Sequence, residues 1–139
     1  MQSNILICGV GGQGIVLTSK LIAATAMELK IPEDKMLRAI AFAQAINLYA
    51  KHYLGTLSCL CSCSVASGLS ASAGIVYMMG GSDQQVLDTM RNVLGSISGM
   101  ICDGAKEGCA SKVCLSTGLS VMSAMMALNG MNTKPADGI

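Results

Sequence analysis

The chain has 139 residues, of which 52% are hydrophobic and only 12% charged, with a mean hydropathy of +0.56. That length and apolar content suit one domain able to bury about two thirds of its unfolded surface, and they exclude a disordered chain. A net charge of +1 gives no electrostatic footprint for nucleic acid or an anionic membrane surface. Aromatics are 3%, with one Phe and no Trp. The core must therefore be filled by Ala, Ser, 16 glycines, 7 cysteines and 11 methionines, which predicts helices that approach one another closely.

In chain order, Asn4-Ile5-Leu6-Ile7-Cys8 reads as a short β-branched strand, followed by the glycine loop Gly9-Val10-Gly11-Gly12-Gln13-Gly14. Residues 15–30 suit a helix, with Val16, Leu17, Leu21, Ala24 and Met27 at helical spacing. Strand, glycine loop and helix are the setting of a phosphate-cradling turn. Dinucleotide binding also needs a second strand ending in an acidic residue, and none follows. Instead Ile31-Pro32-Glu33-Asp34 opens a second helix over 35–53. Residues 57–79 predict one or two helices of small residues. Gly80-Gly81-Ser82-Asp83 is a turn in which Ser82 or Asp83 caps the next helix, through Val86, Leu87, Met90, Val93 and Leu94. Residues 99–108 read as a loop holding Cys102, and 109–128 as a final helix closed by Asn129-Gly130. The expected fold is mainly α, a small-residue helical domain with a short N-terminal strand–glycine loop–helix, and the only seam falls at 30–31.

Residues 53–82 and 113–133 carry no charge, and both are long enough to span a bilayer. The first is rich in Ser and Gly, so buried helices of a soluble domain are favoured over membrane spans. The start Met1-Gln2-Ser3-Asn4 lacks the basic region of a signal peptide, and the cysteine count is odd. A cytoplasmic, reducing compartment is expected, where cysteines serve as metal ligands or as small buried apolar groups rather than disulfides.

Two resemblances emerge from these motifs. Residues 1–30, with Gly9-Val10-Gly11-Gly12-Gln13-Gly14 and Thr18-Ser19-Lys20-Leu21, resemble the start of the indolepyruvate:ferredoxin oxidoreductase beta subunit. Residues 31–139 resemble the C-terminal part of the L-cysteine desulfidase group (UPF0597), related to the alpha domain of iron–sulfur L-serine dehydratases. The residues that carry this second resemblance include Lys51-His52-Tyr53-Leu54-Gly55-Thr56-Leu57-Ser58 and Cys61-Ser62-Cys63. Gly99-Met100-Ile101-Cys102-Asp103-Gly104-Ala105-Lys106, followed by Cys109-Ala110, carries it furthest. The expected organisation is a truncated glycine-loop unit over 1–30 joined to a desulfidase-like helical domain over 31–139. Members of either family are several times longer, so a fused or truncated gene product is expected, catalytically incomplete by itself.

The second resemblance implies an iron–sulfur lyase that releases sulfide or water, pyruvate and ammonia from L-cysteine or L-serine. It implies a [4Fe–4S] cluster on three cysteines with one iron left open as a Lewis acid. Carried onto this sequence, the ligands are Cys61 (or Cys63), Cys102 and Cys109. Cys8, Cys59 and Cys114 read as buried packing. His52, the only histidine, and Lys106 are candidate catalytic groups. The bland alternatives are a solvent-facing helix-end histidine and, for Lys106 with Asp103, an ordinary turn pair. The Met122, Met125, Met126 and Met131 set reads as core filler. A complementing subunit or a second copy is the expected macromolecular partner. The competing readings are a subunit of a ferredoxin-linked oxidoreductase and a non-catalytic helical assembly.

Overall fold

A computed structural model of the chain describes residues 14–55, 58–104 and 106–137. It is mainly helical, with α1 (Ile15–Glu28), α2 (Glu33–Leu54), α3 (Val65–Met78), α4 (Asp83–Ile97) and α5 (Gly108–Leu128). The strand and most of the glycine loop expected over 4–14, and with them Cys8, lie outside the described residues; Gly14 alone is described, in the left-handed conformation just before α1.

α3 is the centre of the fold and packs against all four other helices. Its sequence VASGLSASAGIVYM has no charged side chain, and every residue except Tyr77 is buried. Small residues are what such a position requires. A Cβ at Gly74 would stand 2.5 Å from Ile22 Cδ1, 2.9 Å from Ala43 Cβ and 3.3 Å from the Ala39 carbonyl, so α1 and α2 both press onto its backbone. One core cluster joins Ile22 and Ala26 of α1, Ala39, Ile40 and Ala43 of α2, and Ala73, Ile75, Val76 and Met78 of α3. A second joins Val65 and Leu69 to Val93, Ile97 and Leu119 of α4 and α5.

Several serines of this core are hydrogen-bonded into it, whereas the buried hydroxyls of Ser67 and Ser123 find no partner among the described residues. Ser116 Oγ donates to the Ser64 carbonyl at 2.7 Å and Ser120 Oγ to the Gly68 carbonyl at 3.1 Å, which stitches α5 to α3. Asn47, fully buried on α2, donates through Nδ2 to Ser70 Oγ. Hydroxyls that satisfy carbonyls in this way let polar small residues occupy a helix interface without a large desolvation cost.

The helix ends follow the local sequence. Ser82 is the N-cap of α4 and forms a full capping box with Gln85. Three helices end with an N–H bonded five residues back, from Ile31 to Ala26, Gly81 to Val76 and Met131 to Met126. The residues before those donors, Lys30, Gly80 and Gly130, have positive φ, as that ending requires. The seam expected at 30–31 is the first of these turns, and α1 beyond it shares its core with α2 and α3.

Of the one or two helices expected over 57–79, the described residues hold one, α3, which starts only at Val65; 58–64 is a turn bridged to residues 100–102. Two expectations are corrected. The methionine set is not core filler, since Met122, Met125 and Met131 are half-exposed. Cys59 and Cys114 are exposed rather than buried.

Replacing Gly74 by Val should overpack the α1–α2–α3 contact and cost about 2 kcal/mol or more, outweighing the gain of up to ~1 kcal/mol from removing a mid-helix glycine. Chemical denaturation of the two proteins measures it.

Candidate functional site

The cysteine-bearing turn before α3 is shaped by its pairing with the loop before α5. Cys61 N–H donates to the Met100 carbonyl at 2.8 Å and Cys102 N–H to the Cys59 carbonyl at 2.7 Å. These bonds flank an antiparallel bridge between Leu60 and Ile101. The Leu60 N–H is taken by Ser58 Oγ, and the Cys61 carbonyl accepts from Ser64 and Val65 to launch α3. Cys61 and Cys102 are thus held on paired backbone, although far apart in sequence.

Cys61 is buried, with its thiol donating to Ser64 Oγ at 3.6 Å. Cys63 is half-buried, and burial pushes its thiol up, helped by the neighbouring Cys61, Cys109 and Cys102 and opposed by Lys51. Burial in turn lowers the Lys51 ammonium, with Cys63 pulling the other way. Cys109 lies in the first turn of α5, and its thiol donates to the Gly104 carbonyl at 3.4 Å. The φ of +92° at Gly104 is open to glycine at no steric cost, and its carbonyl meets the first turn of α5 at Cys109. The structure therefore gathers Cys61, Cys63, Cys102 and Cys109 from three segments to the end where α3 and α5 begin.

A lysine straps this site. Lys112 Nζ donates to the Ile101 carbonyl at 2.9 Å and to Asp103 Oδ1 at 2.6 Å. That hydrogen bond holds the Asp103 carboxyl below its ordinary value and the Lys112 ammonium above its own, with Cys61 and Cys109 close enough to add to the latter. Lys106 makes a looser ion pair with Asp103 at 3.9 Å and is exposed. His52 is exposed near the end of α2, its ring edge-on to Tyr53. Lys51, the residue before His52, interacts with the Cys63 thiol.

Lys51 and Lys112 were not among the expected site residues, and both carried a signal. Ala43 and Asn47 are buried, and a further step of four along the same helix face reaches Lys51. Lys112 follows Cys109 by three, which places the two on one face of α5.

Among the described residues no three His, Cys, Asp or Glu side chains stand close enough to share one metal ion. A four-iron cluster makes a different demand. Each thiolate binds its own iron at a corner of the cube, so the ligands stand around the cluster instead of converging on one atom. Several thiols around one site, with the nearby Asp103 carboxylate strapped to Lys112, match that donor chemistry.

A core helix of small residues with several cysteines near its N-terminal end defines a helical, cysteine-bearing domain. The family model of the serine dehydratase alpha chain matches residues 4–139, and the chain belongs to that family. Curated relatives are UPF0597 proteins. That of Alkaliphilus metalliredigens is 40% identical over 139 residues, all of this chain and 30% of the relative. That of Clostridium tetani is 42% identical over 131 residues, 94% of this chain and 31% of the relative. That of Oleidesulfovibrio alaskensis is 42% identical over 131 residues, 94% of this chain and 30% of the relative. The chain thus spans about three tenths of the length of these relatives. The family match takes in all of the glycine-loop segment from residue 4 onward. No solved structure matches the chain.

Replacing Lys112 by Met keeps the aliphatic stem and removes the strap. Proteolytic cleavage within 101–107 should speed up, while global stability changes little, because the Asp103 side of the ion pair faces solvent. Limited proteolysis read by mass spectrometry checks it, and unchanged cleavage would show that the strap does not hold the loop.

Proposed function

We propose that this chain is the cluster-holding part of an iron–sulfur amino-acid lyase of the L-cysteine desulfidase or L-serine dehydratase type. The observation that carries this reading is the gathering of Cys61, Cys102 and Cys109 at one end of α3 and α5 in a member of the serine dehydratase alpha chain family. Those three are the proposed ligands, with Cys63 as the alternative to Cys61. Bound there, a [4Fe–4S] cluster would supply an open iron as Lewis acid for the β-hydroxyl or β-thiol of the substrate.

The remaining work falls to the chain itself. The backbone bonds between 59–61 and 100–102 fix the spacing of Cys61 and Cys102. Lys112 holds the Cys102 loop through Ile101 and Asp103. Lys51 sets a positive charge beside Cys63, favouring a nearby thiolate or a substrate carboxylate. Lys106 Nζ, exposed and only loosely paired, and the His52 imidazole are the proposed groups for moving the substrate's α-proton. Loss of that proton and of the β-substituent, then hydrolysis, yields pyruvate and ammonia, with water leaving from serine or sulfide from cysteine. The seventy per cent of the relatives' length outside the match is proposed to complete the catalytic assembly, in a reducing, cytoplasmic setting.

Anaerobic reconstitution of the chain with ferrous iron and sulfide should load about four irons and give visible iron–sulfur absorbance. Cys102→Ser should lose most of it, and Cys114→Ser should not. A colourless, iron-free wild type would overturn the reading in favour of a non-catalytic helical assembly. In an active assembly, His52→Ala and Lys106→Ala should each lower kcat by about 100-fold or more with iron content unchanged, as removal of a proton-transfer group does. Wild-type kcat for either variant would remove that residue from the mechanism.

A further inference from the structure

α5 is buried along one side only. Ser116, Ser120, Ser123, Ala124 and Ala127 are buried, whereas Leu115, Val121, Met122 and Met125 are between 37% and 56% exposed. These residues recur at helical spacing and no charge lies among them, so they form a continuous apolar stripe. Between this stripe and α4 runs a groove of ≈ 610 Å³, floored by Ile97 and Leu119 and walled by Cys114, Gly118 and Met122.

Gly118 is the telling position. It stands inside a 21-residue helix, and nothing lies within 4 Å of where its Cβ would be. Gly68 and Gly74, by contrast, are pressed by neighbours in the chain. A mid-helix glycine destabilises its helix relative to alanine, and no contact within the described residues accounts for this one. A missing Cβ in the wall of an apolar groove admits a close-packed neighbour from outside the matched segment.

We propose that the α4–α5 groove seats an apolar segment from the part of the lyase architecture that the relatives carry outside the matched region. Three features select that occupant. The relatives are about 40% identical over this whole stretch and more than three times its length, so most of their chain has yet to be placed. The groove lies on the same helix as Cys109, so a segment seated along α5 and continued toward its N-terminus would approach the exposed Cys102. The stripe also carries no charge, as a permanent intramolecular or obligate contact requires. This inference deepens the lyase reading, but its test needs no iron.

The test compares the 139-residue chain with the intact Alkaliphilus metalliredigens relative. In the chain alone, Cys114 should alkylate with iodoacetamide at the rate of an exposed thiol. A cysteine placed at the aligned position of the intact relative should react about tenfold or more slowly, because the seated segment covers it. Gly118→Ala should raise the Tm of the 139-residue chain, whereas Leu at the aligned position of the relative should lower the relative's Tm. Equal alkylation rates in the two proteins would overturn the proposal. So would protection of Cys114 in the isolated chain that grows with its concentration, the mark of a second copy. Protection that appears on adding phosphatidylcholine vesicles would overturn it in favour of a bilayer, since α5 is apolar and long enough to cross one by length and composition.

Discussion

The close approach of α1 and α2 to the backbone of α3 is the constraint on which the rest of the structure depends. At Gly74 a single Cβ would collide with side chains of both neighbours, so the core is built from backbone proximity and not from large side chains. Packing at that distance brings main-chain carbonyls within reach of short side chains. The hydroxyls of Ser116 and Ser120 on α5 and the amide of Asn47 on α2 turn that reach into hydrogen bonds. An aromatic core would have held the helices further apart, and serines could not have spanned the gap.

The same packing places the site. Ser116 holds α5 to the Ser64 carbonyl, one residue before α3 begins, and this sets Cys109 opposite the turn that carries Cys61 and Cys63. The thiols therefore inherit their relative positions from a helix interface, and the short bridge at Leu60 and Ile101 adds the third segment. Electrostatics then sorts the group. Cys63 is disfavoured as a thiolate, first through burial and then through its sulfur neighbours, with Lys51 opposing.

The helices were legible in the sequence because their signals are local. Proline and acids at 32–34, the Ser82 capping residues and Asn129-Gly130 mark boundaries within a few positions of where they fall. The turn over 58–64 was not legible, because its shape comes from pairing with residues some forty positions away. The exposure of Cys114 and of the α5 methionines was hidden for a related reason. Hydropathy marks a face as apolar but does not say whether the covering surface belongs to the same stretch of chain. Site residues divide likewise. Cysteines announce themselves by type, while Lys51 and Lys112 matter only through where the helices point them.

The bridge between the two cysteine segments also orders events in time. Joining residues 61 and 102 closes a loop of about 40 residues, for which chain statistics give an entropic cost of ~3 kcal/mol. Two backbone hydrogen bonds contribute roughly that much at best, so the bridge has little margin as a nucleus. The helices enclosed by the loop, α3 and α4, have to dock first, and the thiols come together afterwards. Under the proposed cluster-holding role, iron loading would report on folding: a chain whose central helix has not packed would hold its cysteines too far apart to compete for iron.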